Sequence, residues 1–108
     1  MKSYIITKVV YEALHRWENA DSIPEVSFLK HPHRHLFHIT LHKEVSHDDR
    51  QIEFIVFKHQ VQSYLEAKYS GDFGSQSCEM IAKELIQEFD CVCVEVLEDS
   101  ENGAVVTK

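Results

Sequence analysis

Proline and glycine are scarce in this chain, at two and three residues in 108. That scarcity excludes collagen-like and low-complexity organisation, and with 44% hydrophobic residues the composition is that of a globular fold. The three cysteines are too few, and odd in number, for a disulfide scaffold. Cys91 and Cys93 stand two apart, which would set them side by side on one strand face, too constrained for a routine bridge. Reduced thiols in a cytoplasmic protein are the expectation. Basic residues are in deficit: 11 Lys and Arg against 18 Asp and Glu give a net charge of −7. Without a basic run or stripe, nucleic acid is not an expected partner. No apolar run approaches the ~18 residues of a membrane span, so no membrane association is predicted. The stretch from Met1 to Leu14 is broken by Thr7 and Lys8 and lacks a small-residue cleavage site, so no signal peptide is expected. The length predicts one domain over residues 1–108, with a core that needs no disulfide or structural metal.

What is present is strong periodicity. Residues 3–15 are rich in β-branched and aromatic types and predict a long strand. Residues 16–32, with Asn19, Asp21, Pro24 and Pro32, read as a loop. Phe37, Ile39 and Leu41 then alternate with His38, Thr40 and His42, the pattern of a half-buried strand. A turn at His47-Asp48-Asp49 and a short strand at Gln51 to Phe54 are expected next. From about Ile55 the period becomes helical through Phe57, Val61, Tyr64 and Leu65, until Gly71 to Gly74 break it. A second helix is predicted at about 77–89, capped by Ser75 or Ser77 and burying Ile81, Ala82, Leu85, Ile86 and Phe89. Alternation returns from Cys91 to Glu98, with Val92, Val94 and Val96 on one face. Asn102-Gly103 signals a hairpin turn before a last strand near 104–107. This order, without βαβ alternation, predicts an α+β fold: an antiparallel sheet of about four strands with two helices on one face.

Eight histidines are many for this length, and their parity matters more than their number. His33 and His35 continue the inward face of Phe37, Ile39 and Leu41 to its end. Two imidazoles at i and i+2 on one face can converge on a cation. His15, at the end of the first strand, is the natural third, leaving a fourth position open. His31 shares the parity of His33, but Pro32 interrupts the ladder, so a register beginning at His31 stays open. His38, His42, His47 and His59 read as solvated surface residues. Glu98 has the parity of Val94 and Val96 and so ends an apolar face. A carboxylate there can accept two parallel hydrogen bonds from the amino group and ring N–H of a pterin or guanine, or else belong to a solvated acidic turn, Glu98-Asp99-Ser100-Glu101.

Five segments, in order along the chain, resemble the 6-pyruvoyl-tetrahydropterin synthase and 6-carboxytetrahydropterin synthase family. His33-Arg34-His35-Leu36-Phe37 is similar to that family's His-Gly-His-Asn-Tyr strand, and His15-Arg16-Trp17 to its upstream strand-end histidine. Gln51-Ile52-Glu53-Phe54 with Phe57-Lys58 resembles the lead into its first helix. Ser77-Cys78-Glu79-Met80-Ile81-Ala82 resembles the start of its second, and Val94-Glu95-Val96-Leu97-Glu98 the strand that ends in its pterin-anchoring glutamate. The resemblance implies a tunnelling fold that assembles as trimers or hexamers with sites at subunit interfaces. It implies zinc held by His15, His33 and His35, and a pterin or purine anchored by Glu98. The family's chemistry is zinc-dependent carbon–oxygen lyase chemistry on dihydroneopterin triphosphate.

The chain departs from that pattern where the chemistry lies. Arg34 stands for the glycine between the paired histidines, and Leu36-Phe37 for Asn-Tyr. The family's catalytic cysteine corresponds to Leu29, and no adjacent Asp-His pair follows the first helix. His59 and Asp72 are the available stand-ins for that proton relay. Two functions follow from the resemblance: a divergent synthase-like lyase, or a metal-containing pterin- or purine-binding homologue without turnover.

Overall fold

The computed structural model describes residues Met1–Lys108. Alternation drives the first two strands, β1 (Ser3–His15) and β2 (His33–Val45). In β1 the odd positions Thr7, Val9, Ala13 and His15 are buried while every even position is exposed. In β2 Phe37, Ile39 and Leu41 are buried in the same way. Since successive side chains point to opposite faces, this parity fixes the register. The two strands pair antiparallel from Ser3 opposite Val45 to His15 opposite His33. β3 (Cys93–Glu98) pairs with β2, and β4 (Asn102–Thr107) with β3, giving one antiparallel sheet in the order β1-β2-β3-β4.

Two helices cover one face of this sheet. α1 (Phe54–Tyr69) buries Phe57, Val61 and Leu65, and α2 (Cys78–Phe89) buries Ile81, Ala82, Leu85 and Ile86. These side chains join Val9, Ala13, Phe37, Ile39, Leu41, Val94 and Val96 in a single core. Each fully buried Leu or Ile contributes about 1.5–3 kcal/mol relative to exposure. The other face carries no helix, and Ile6, Val10, Leu36 and Val105 are exposed there. The class is therefore α+β, as the periodicity predicts. No helix is long and apolar enough to cross a membrane.

Four local expectations need correction. Gln51 to Phe54 is not a strand: the Glu53 carboxylate accepts from the backbone N–H groups of Ile55 (2.9 Å) and Val56 (3.2 Å) and caps α1, which begins at Phe54. The 16–32 segment holds two short 3-10 segments, Ala20–Ser22 and Pro24–Lys30, the second opened by Pro24. Cys91 belongs to the end of α2, not to a strand face shared with Cys93. Its N–H donates to Ile86 O (3.1 Å) around the left-handed Asp90, and β3 begins at Cys93. Finally, the β3–β4 turn lies at Asp99 and Ser100, both left-handed (φ 53° and 63°), and Glu101 N–H donates to Glu98 O (2.9 Å). Asn102-Gly103 lies inside β4. Gly103 is required there by crowding, because a Cβ would fall 1.8 Å from Val96 O. Of the two candidate caps for α2, Ser77 serves, accepting from Met80 N–H at 3.2 Å.

Candidate metal centre

The last rung of the β1–β2 ladder sets His15 directly opposite His33, and His35 follows on the same face opposite Ala13. The three imidazoles meet edge to face, with ring centroids 4.5 Å (His15–His33), 5.3 Å (His15–His35) and 5.1 Å (His33–His35) apart. Fully buried Phe37 lies beneath them, 5.1 Å from His15 and 4.9 Å from Phe73, so the cluster rests on the end of the core. One ligand nitrogen from each ring falls within 4.8 Å of the others. A tetrahedral cation with bonds of roughly 2.0–2.1 Å needs its ligands about 3.4 Å apart, so a modest inward turn of the rings would close the set.

What surrounds the rings decides which nitrogens are free. His15 Nδ1 lies 3.1 Å from Gln76 O, and His33 Nδ1 lies 2.8 Å from His31 O. A carbonyl oxygen can only accept, so both rings carry their N–H on Nδ1. His35 Nδ1 lies 2.6 Å from the Asp99 carboxylate, which also accepts from Leu36 N–H at 2.9 Å. All three rings are thus oriented by an outer acceptor, the arrangement that metal-bound histidines almost always show. The two buried side-chain nitrogens without a hydrogen-bond partner are Nε2 of His15 and Nε2 of His35. Buried polar atoms are rarely left unpaired, and here they are the atoms aimed at the shared space. The donor set fits a borderline-soft divalent cation such as zinc.

Glu98 comes to the same place from β3, where it pairs with Phe37. Its carboxylate lies 3.0 Å from His15 Nε2 and 3.5 Å from His35 Nε2. Neither contact has hydrogen-bond geometry, so the attraction is one of charge. The histidines, His15 foremost, hold the Glu98 carboxyl below its ordinary range. Burial pulls His15 down, but Glu98 and the Gln76 carbonyl outweigh it, so its pKa stands above the usual imidazole value. Asp99 is lowered by the Leu36 N–H and by His35.

His15 and His33 open onto a cleft of about 300 Å³ whose wall includes Leu29, Gln76, Cys78 and Glu98. Cys78, 3.8 Å from Glu98, is pushed up to about 12, first by burial and then by Glu98 and Glu79, so it is a neutral thiol. Cys78, Cys91 and Cys93 are all unpaired. His59 and Asp72 do not reach the cleft. His59 is exposed on α1, and the Asp72 carboxylate accepts from Gly74 N–H at 2.7 Å to shape its own turn. His38 and His42 lie on the opposite face of β2, half-buried. His31 contributes its carbonyl and not its ring, so the cluster is formed by His33 and His35 with His15. Arg34 points to the helix-free face and pairs with Glu12, leaving the cleft untouched.

Sequence reasoning missed Asp99, the Gln76 carbonyl and the presence of Cys78 on the cleft wall. Asp99 carries the one available signal, an acid immediately after a strand-end glutamate. No protein-family model matches the chain, and no curated protein is similar to it at a significant level.

Proposed function

We propose that this chain is a zinc-containing, pterin- or purine-binding protein of the 6-pyruvoyl-tetrahydropterin synthase type. The observation that carries the reading is the set of three imidazoles whose Nδ1 atoms are all occupied by outer acceptors, leaving Nε2 of each for a cation. His15, His33 and His35 are the ligands. When bound, zinc would polarise a hydroxyl or carbonyl oxygen of the small molecule. Glu98 lines the cleft, and a carboxylate there is suited to the paired N–H donors of a pterin or guanine ring. The cleft volume lies at the lower end for small-molecule sites. The order β1-β2-β3-β4 with both helices on one face supports the tunnelling fold. Self-association as a trimer or hexamer belongs to the same proposal, supported by the exposed Ile6, Val10, Leu36 and Val105 and by two edge strands.

Binding without turnover is the better-supported activity. Leu29 lies on the cleft wall at the position of the family's cysteine and has no ionisable group, and the carboxylates beside the histidines, Glu98 and Asp99, are engaged with the rings themselves. The lyase reading retains one supporting observation: the neutral Cys78 thiol on the same wall is a proton donor within reach of the cleft. Elemental analysis of the purified protein tests the core of the proposal. About one zinc per chain, lost in His33→Ala and kept in His38→Ala, is expected. A protein that stays metal-free after zinc is supplied would remove it. Stabilisation by a pterin without product then separates binder from lyase, with dihydroneopterin triphosphate as the substrate to try.

A further inference from the structure

We infer that Glu98 is the fourth ligand of the cation held by His15, His33 and His35, closing the site while no small molecule is present. The inference rests on the zinc reading above and changes its expected open position to a filled one. The spacing carries it. Atoms at two corners of a tetrahedral cation with bonds of roughly 2.0–2.2 Å stand about 3.3–3.5 Å apart. Glu98 Oε2 stands 3.0 Å from Nε2 of His15, near that separation, and the other oxygen, Oε1, stands 3.5 Å from Nε2 of His35, so a small turn of the carboxylate would bring one oxygen to the shared corner.

The chemistry of the contacts points the same way. Glu98 oxygens lie 3.0 Å and 3.5 Å from the buried Nε2 atoms of His15 and His35, yet neither nitrogen has a hydrogen-bond partner. A cation between the three rings and the carboxylate satisfies every atom at once. The backbone aims Glu98 there. It shares the inward parity of Val94 and Val96 and pairs with Phe37, the residue two beyond His35. The Cys78 thiol, 3.8 Å from Oε2, steadies the same oxygen. One carboxylate then has two uses, and a ring that engages it through paired N–H donors would draw it from the metal. The metal would be uncovered only when such a ring is bound.

Cobalt(II) in place of zinc, titrated with azide, tests this by visible absorption. In the unmodified protein the spectrum is expected to be insensitive to azide. In Glu98→Gln the cobalt spectrum should change and azide should bind at least tenfold more tightly. Azide binding as tight in the unmodified protein as in Glu98→Gln, or a cobalt spectrum identical in the two, overturns the inference and leaves the three-histidine site standing. Failure of the unmodified protein to take cobalt or zinc overturns the parent reading instead. Should Glu98→Gln keep its unfolding transition but hold no cobalt, azide insensitivity of the unmodified protein supports ligation and sensitivity refutes it.

Discussion

Two half-buried carboxylates organise polar clusters in this molecule, and they differ in one respect. Glu84, on α2, receives Tyr64 (2.7 Å), Lys68 (2.9 Å) and the Tyr69 hydroxyl. Burial pushes its carboxyl up, and Tyr69, Tyr64 and Lys68 more than reverse the effect. Every neighbour that turns toward Glu84 is a donor, so the cluster is complete and ties α1 to α2. Glu98 also has ring nitrogens turned toward it, but two of them are buried without a hydrogen-bond partner. A cluster that satisfies itself serves the fold, whereas two unpartnered ring nitrogens beside a carboxylate are what the proposed cation would complete.

Each way of breaking this contrast has an expected outcome. Zinc at a thousandfold its Kd should stabilise the protein by about 4 kcal/mol, and His33→Ala by none, in denaturant unfolding. Identical midpoints with and without zinc would make the two clusters equivalent. Glu84→Ala should cost about 1–3 kcal/mol, since it strands three donors, with zinc content unchanged. Loss of zinc without loss of stability would reverse the assigned roles. Asp99→Asn keeps an acceptor for Leu36 N–H but removes the charge from His35. Zinc affinity by chelator competition should fall about 10- to 100-fold.

The pH dependence sharpens the contrast further. His15 stands above its ordinary value, so its contribution to the metal-free fold is fully present below the unfolded imidazole pKa and lost as pH rises through the folded one. Glu98 stands below its ordinary value, so its contribution is present above the unfolded carboxyl pKa and lost as pH falls through the folded one. Metal-free stability from this pair should peak between about pH 4.5 and 6.5. Zinc affinity should instead rise with pH, about tenfold per unit below the folded His15 pKa for each proton displaced. Parallel pH profiles for the two quantities would break the account. The smallest effect expected is that of His59→Ala, with stability within about 0.5 kcal/mol and zinc content unchanged.

Side-chain pattern was legible in the sequence, and backbone chemistry was not. The alternation of Phe37, Ile39 and Leu41 was enough to place β2, and parity alone carried His33 and His35 to the inward face. Glu53 escaped notice as a helix cap because glutamate seldom fills that position. Asn102-Gly103 looked like a turn because glycine has two uses, positive φ and close approach, and sequence does not distinguish them. The carbonyls of Gln76 and His31 carry no side-chain signature, since any residue could supply them. Asp99 could be assigned only once the turn was known to fold it back against Leu36 and His35.

The final rung of the β1–β2 ladder has a consequence for how the protein keeps its shape. His15 and His33 face each other at the far end of two 13-residue strands. A slip of one residue would turn His15 to the wrong side of the sheet, and a slip of two would bring Ala13 opposite His33. A cation bridging that rung would therefore act as a lock at the end of a zipper, tolerating a single alignment of the whole hairpin. Insertions or deletions within either strand should be scarce wherever the lock is used, and the end of the loop that joins them is held as well, by Leu29 on the cleft wall and the His31 carbonyl on His33.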